Sequence, residues 1–186
     1  MRKFEAICQS VFADANAALY RSALTPDHER NIKSVALAIV HWKMSSQGGR
    51  SGFHVSNVSG KWTPKTHATL LDAYRLRSLS AFRIGGVRIP TASAFLRFLY
   101  PDDFGIVDRR VVTTHTQPVG ITTMNLRRDG YINDVTQNIS KYSTEYIPFL
   151  RREAMALAGV TFLDHDQFGA PFASSFRPCD IEMALF

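Results

Sequence analysis

Three proline-marked helix starts constrain the fold of this chain more than any other feature. Thr25-Pro26 and Thr63-Pro64 each put a capping hydroxyl before a ring whose missing N–H costs nothing in a first helical turn, and Pro90 suits the same position. Behind each start the apolar residues step by three and four, the spacing of one helical face. Ile32, Val35, Ala36, Ile39, Val40 and Trp42 follow the first, Leu70, Leu71, Tyr74, Leu76 and Leu79 the second, and Ala92, Ala94, Phe95, Phe98 and Leu99 the third. An earlier stripe of Phe4, Ile7, Val11, Phe12, Ala15 and Leu19 predicts a helix at the beginning, another is expected from near Ser143 to Gly159, and Pro178 is expected to open a last turn through Leu185. No segment alternates long enough to demand a sheet, so the expected class is mainly or wholly α.

Breaks between these segments are equally readable. Residues 45–60 hold four Gly and five Ser, a composition expected of a loop. The third helix is expected to run towards Phe82 before Gly85-Gly86 breaks it, and Pro101 stops the next one. Residues 115–130 read as irregular, with a Thr-rich stretch that could pass for a strand. With 186 residues, 45% of them hydrophobic, the chain has apolar surface enough to repay the entropy of ordering. The expected organisation is one unit over 1–186, two small lobes flanking a cleft, with 1–46 and 120–186 completing the lobes around a central 63–112.

Cysteine and charge narrow the classes further. Cys8 and Cys179 are too few for a disulfide framework, a four-thiolate zinc site or a four-Cys iron–sulfur cluster, and are expected in the core. Asp164-His165-Asp166 has the residue types of a metal site, but adjacent side chains diverge, so a polar loop without metal is expected. Glu5 and Gln9 interrupt any apolar signal core and no later stretch reaches membrane-spanning length, so a soluble, cytoplasmic protein without a membrane partner is expected. A net charge of +6, carried by 16 Arg against 6 Lys, favours a polyanionic partner through counterion release.

The residues that carry chemistry lie between Thr66 and Val111, about a quarter of the chain. The segment Ile84-Gly85-Gly86-Val87-Arg88-Ile89-Pro90-Thr91-Ala92 resembles the hairpin of the helix-hairpin-helix DNA glycosylase superfamily, whose common pattern reads L-P-G-V-G-x-K-T-A, with Gly86, Val87, Thr91 and Ala92 in register. That family also carries an aspartate in a V-D-x-x-V context beyond the hairpin. Here Val107-Asp108-Arg109-Arg110-Val111 supplies it, 108 − 90 = 18 positions after the residue aligned with the family's lysine.

Several expectations follow from the resemblance. Glycines let the hairpin approach a duplex closely, and free amides at the following helix start would point at phosphate oxygens with the helix dipole behind them. Gly85, Gly86, Arg88, Thr91, Arg109 and Arg110 are therefore the candidate contacts to double-stranded DNA. Asp108 is the candidate catalytic carboxylate, stabilising positive charge on deoxyribose and orienting water, although an aspartate in this position is also a natural helix N-cap. Pro90 stands where bifunctional relatives carry an attacking lysine, which implies a monofunctional enzyme unless another lysine reaches the sugar. Arg88 replaces the second hairpin glycine.

A flipped base requires a wedge to fill the stack, and Met44-Ser45-Ser46-Gln47 is similar to an L-S-x-Q corner of some relatives, making Gln47 the wedge candidate. Trp42, Phe53, Trp62, Tyr100 and Phe104 are candidates to stack on the base, or plain core residues. No cofactor is required, though relatives hold a monovalent cation on hairpin carbonyls. The setting implied is base-excision repair or defence against phage DNA with modified bases. A non-catalytic helix-hairpin-helix DNA-binding module and a helical scaffold for protein assembly compete with this reading; the number of copies that assemble is not legible.

Overall fold

The computed structural model describes residues 1–21, 23–45, 51–114, 124–165 and 171–184. The chain is mainly helical, in the order α1 (Arg2–Arg21), α2 (Pro26–Ser45), α3 (Ser51–Gly60), α4 (Pro64–Leu76), α5 (Ile89–Leu99), α6 (Arg109–Thr114), α7 (Thr136–Lys141), a π-helical turn (Tyr142–Tyr146), α8 (Ile147–Ala156), β1 (Thr161–His165), β2 (Pro171–Ser175) and α9 (Pro178–Ala184). Among the described residues, no helix is long and apolar enough to cross a membrane.

The helix starts form where the sequence puts them. At α2 the His28 N–H donates to Thr25 Oγ1 at 3.4 Å and the Thr25 N–H to His28 Nδ1 at 3.2 Å. At α4 the Thr63 N–H donates to Thr66 Oγ1 at 2.9 Å, and the two hydroxyls lie 3.1 Å apart, a capping box with threonine in the usual acidic place. Helix α5 begins one residue earlier than expected, at Ile89, with Pro90 second.

Helix α5 is the centre of the molecule. Ile89 and every residue from Thr91 to Leu99 are buried, which suits a helix apolar on nearly all sides. Helices α1 and α2 pack on it, with Phe4 and Trp42 both set edge-on against Phe98 at 4.9 and 4.8 Å, while Phe82 stacks on Phe95 at 5.4 Å. Phe82, Phe95 and Phe98 are fully buried, and each such ring contributes roughly 1.5–3 kcal/mol. Cys8 and Cys179 are free and buried as expected, and burial pushes both thiols up to about 12.

Four elements differ from the sequence-based expectation. Helix α4 stops at Leu76 rather than running towards Phe82, because Arg77 turns left-handed at φ 47°. Its guanidinium sits 4.5 Å over the Tyr100 ring and bonds Asp103 at 3.3 Å, contacts that offset the roughly 1–2 kcal/mol such a backbone costs. Residues 51–60, expected as a loop, form α3, which packs on α2 and buries Val58.

The helix expected from Ser143 begins instead at Thr136 and widens into a π turn just before Pro148. Pro148 lacks the N–H of a regular helix and its ring crowds the preceding turn; the Ile147 N–H reaches back five residues to the Tyr142 carbonyl, which opens that turn. Finally, β1 and β2 pair antiparallel in register from Thr161 opposite Ser175, so Asp164 and His165 lie on a strand rather than in a loop. Five residues per strand is too short for alternation to stand out in the sequence. The last turn from Pro178 is a helix, α9.

Candidate nucleic-acid interface

The segment that mounts Asp108 is held at successive backbone groups. The Tyr142 hydroxyl donates to the Gly105 carbonyl at 2.9 Å and the Tyr146 hydroxyl to the Ile106 carbonyl at 2.7 Å. The Ile106 N–H donates to the buried Glu182 carboxyl, and the Val107 N–H to Ser93 Oγ of α5 at 3.1 Å. Buried phenols stay protonated, as both tyrosines here do well beyond their ordinary range, so they remain donors. Gly105 admits no side chain: a Cβ there would lie 2.4 Å from Leu150 Cδ1.

Asp108 follows as the N-cap of α6. Its Oδ1 accepts the N–H groups of Arg110 at 2.8 Å and Val111 at 3.2 Å, so the capping expectation holds. Its Oδ2 accepts from Lys43 Nζ at 2.9 Å, a partner 65 residues away on the last turn of α2. Burial works against the charge on Asp108, but Lys43 and the two backbone donors outweigh it and hold the carboxyl below the usual carboxylate range. The group is an anion at neutral pH. The Lys43 and Asp108 side chains are 9% and 24% exposed, and both line a cleft of about 600 Å³.

The hairpin lines the same cleft. The Val87 N–H closes a turn on the Ile84 carbonyl at 2.8 Å, with Gly86 in third place at φ 87°, the left-handed conformation that a type II turn needs there. Gly86, Arg88, Pro90 and Thr91 face the same cleft as Asp108, whereas Gly85 sits against Lys61 outside it. Among the described residues, the exposed N–H groups of Gly85, Gly86 and Arg88 meet no protein acceptor.

The helix start behaves otherwise than expected. The Ile89 N–H donates to Asp134 Oδ1 at 3.3 Å, Pro90 has none to give, and the Thr91 and Ala92 N–H groups are spent on the Arg88 carbonyl at 3.0 and 2.8 Å. Asp134, which also takes Arg83 at 2.7 Å, occupies the place expected for a phosphate oxygen. The free amides are those of the turn, not of the helix, and Thr91 is a buried residue rather than an open contact. The carbonyls of Phe82 and Ile84 each accept one backbone N–H, at 2.9 and 2.8 Å.

Further cations share the cleft with the carboxylate. Arg88, Arg109 and Arg110 line the cleft, all three are exposed, and none forms an ion pair among the described residues. The Arg109 guanidinium lies 5.4 Å over the ring of Tyr131, which is carried by a turn at residues 126–132. Buried Asn138 fastens that turn through the Asn125 and Asn133 carbonyls at 2.8 and 2.7 Å.

Of the five aromatic candidates, Trp42, Trp62, Tyr100 and Phe104 pack into the core or against one another. Only Phe53 of α3, 72% exposed, belongs to the cleft, joined there by Tyr131, which sequence reasoning did not single out. Gln47, the wedge candidate, lies outside the described residues, as does Asp166. Asp164 is ion-paired with Arg2. Lys43 was a further omission: its one local signal is a cation in a helix's last turn, which the helix dipole alone explains. No family model, curated protein or solved structure matches the chain.

Proposed function

We propose that the chain is a DNA glycosylase that grips one strand with the Gly85-Gly86 turn, extrudes a nucleotide into the Asp108 cleft and hydrolyses its N-glycosidic bond to leave an abasic site. The observation that carries this reading is the ionised Asp108 carboxylate in one cleft with a turn whose amides meet no acceptor, and with three guanidinium groups that form no ion pair, among the described residues. The amides and the arginines of such a wall suit phosphate oxygens and read no sequence.

As the base departs, positive charge grows at C1′ of the sugar, and a fixed anion stabilises it at no cost in reorganisation. Asp108 supplies that anion and orients the attacking water. Phe53 and Tyr131 offer faces for an extruded base. A monovalent cation on the Phe82 and Ile84 carbonyls would stiffen the turn, and no step of the chemistry passes through it. Repair of a damaged base and attack on modified bases of phage DNA both fit this chemistry.

One observation favours a non-catalytic DNA-binding module instead. Both Asp108 oxygens already accept protein donors, as a purely structural carboxylate would. Duplexes carrying uracil, alkylated purines, oxidised guanine or hydroxymethylated and glucosylated cytosine, scored for alkali-labile sites, separate the two. The enzyme releases one of these bases, and Asp108→Asn, which can still cap α6, lowers release by about 10²–10⁴-fold while duplex binding persists. Base release undiminished in Asp108→Asn, or absent from every duplex, leaves the binding module.

A further inference from the structure

The turn at residues 126–132 is fastened more firmly than a surface connection needs. The Leu126–Ile132 bridge sets its register, and the Arg127 N–H donates to the Tyr131 carbonyl at 2.8 Å. Gly130 supplies a left-handed residue at φ 78°, and its N–H closes the turn on the Arg127 carbonyl at 2.9 Å. At the base, fully buried Asn138 accepts the Asn125 N–H at 2.8 Å while donating to the Asn125 and Asn133 carbonyls. These bonds hold an aromatic ring at the surface rather than in the core: Tyr131 is 43% exposed and lines the cleft with Asp108. The Arg109 guanidinium lies 5.4 Å over that ring, and a Cβ on Gly130 would stand 3.7 Å from Arg109 Cδ, so the arginine stem runs along the turn. Phe53, the other ring of the cleft, sits on a helix that buries Val58 alone and meets His54 edge-on at 5.6 Å. A ring ordered before its ligand arrives loses less freedom on binding, which favours Tyr131.

We infer that Tyr131, backed by Arg109, is the platform on which the protein stacks an unpaired nucleotide of DNA, so that a base already outside the helical stack, damaged or not, is what the cleft selects. The inference rests on the proposed reading for one point, that DNA enters the Asp108 cleft, and it requires no base release. Five cations and two carboxylates line that cleft among the described residues, and a positive groove with an aromatic platform holds single-stranded nucleic acid without reading its sequence. Every base has a π-face, so stacking on Tyr131 selects for the absence of pairing rather than for one base. A paired base must first be unstacked and unpaired, a cost already met in a bulge, so the bulge is the better ligand. Arg109 lies on the ring, which sets it apart from Arg88 and Arg110, the cations of the same cleft left to meet phosphate.

The test needs no knowledge of which base is excised. The intact protein is mixed with a duplex carrying one bulged 5-iodouracil, which on irradiation joins covalently to an aromatic side chain stacked on it, and its affinity is compared with that for the same duplex fully paired. The expected results are tighter binding of the bulged duplex and a crosslink that peptide mapping places on Tyr131. Tyr131→Ala is expected to lower affinity for the bulged duplex by about 5–150-fold while affinity for the paired duplex stays near that of wild type, and Tyr131→Phe is expected to retain both. The crosslink is mapped on wild-type protein, so a misfolded variant cannot decide the matter. A crosslink on Phe53 or any other residue, binding without a crosslink, equal affinity for bulged and paired duplexes, or a folded Tyr131→Ala that binds the bulge as tightly as wild type overturns this inference alone. The base-removal reading then still stands or falls on the panel of modified duplexes. A protein that binds neither the bulged nor the paired duplex overturns both.

Discussion

Two carboxylate–cation pairs bracket helix α5, and they are built to opposite specifications. At one side Glu5 of α1 takes Arg97 of α5 at 2.5 Å and Arg177 at 2.9 Å, with exposures of 3% for Glu5 and 1% for Arg97. Arg177 continues to Asp180 of α9 at 2.9 Å, so first, central and last helices share one buried network. At the other side Asp108 and Lys43 meet with the cleft open before them, 24% and 9% exposed. Removing water from an ion pair costs several kcal/mol per charge, repaid only when every partner is in place. The first pair is committed to holding the fold, whereas the second keeps a carboxylate charged where a ligand can still approach.

The largest expected effect tests that division directly. Arg97→Ala strands the buried Glu5 charge and is expected to cost about 3–5 kcal/mol in urea unfolding. Lys43→Ala leaves Asp108 open to the cleft and still capping two N–H groups, and is expected to cost only about 1 kcal/mol. Equal losses would break the comparison, because the cleft pair would then be as structural as the other.

How much of each region was legible in the sequence follows the same line. Local signals sufficed for the helices that open at Thr25-Pro26 and Thr63-Pro64, because capping hydroxyls and proline act within one turn. Asp108 was found through its spacing from the hairpin, and its cap is also local. Lys43, Asp134, Tyr142 and Tyr146 were missed as parts of the site because each acts across 37–65 residues, through contacts that only the packed helices create. Helix α3 escaped notice because serines and glycines carry its surface, while Val58 alone is buried and marks the inner face. The amides expected to face phosphate were placed at the helix start because nothing near Pro90 announces that Asp134, 45 residues beyond Ile89, takes the first of them.

A second effect concerns the carboxyl lying between the two networks. Glu182 is buried, faces Lys43 and Arg97 attractively and Asp108 repulsively, and burial outweighs the attraction, pushing it up to about 7 from 4.5. The folded chain therefore binds a proton that the unfolded chain has released between these values. The associated stabilisation is complete below about 4.5 and is lost as pH rises through about 7. The expected loss is about 3 kcal/mol across that interval. Glu182→Gln remains neutral throughout, so the difference between wild-type and variant unfolding curves over pH isolates the contribution of this group. Parallel curves would mean that Glu182 is ionised in the fold and belongs to the cation networks on either side.

A smaller effect than those of Arg97 and Glu182 is expected in the turn that shares the cleft with Asp108, where backbone conformation rather than charge is at stake. Gly86 stands at φ 87°, and a Cβ there would meet Asn57 Nδ2 at 3.3 Å and Val58 Cγ2 at 3.4 Å. The left-handed backbone sets a cost of roughly 1–2 kcal/mol for Gly86→Ala, and the α3 contacts, tight but at movable side-chain ends, add little. That loss is below the one expected for Arg97→Ala, because the turn lies at the surface and no buried charge is stranded. DNA binding should suffer more than stability, since the added methyl displaces the turn whose N–H groups face the cleft. A Gly86→Ala protein that loses stability but binds duplex as tightly as wild type would show that the turn serves the packing of α3 and α5, and would move the interface to the arginines.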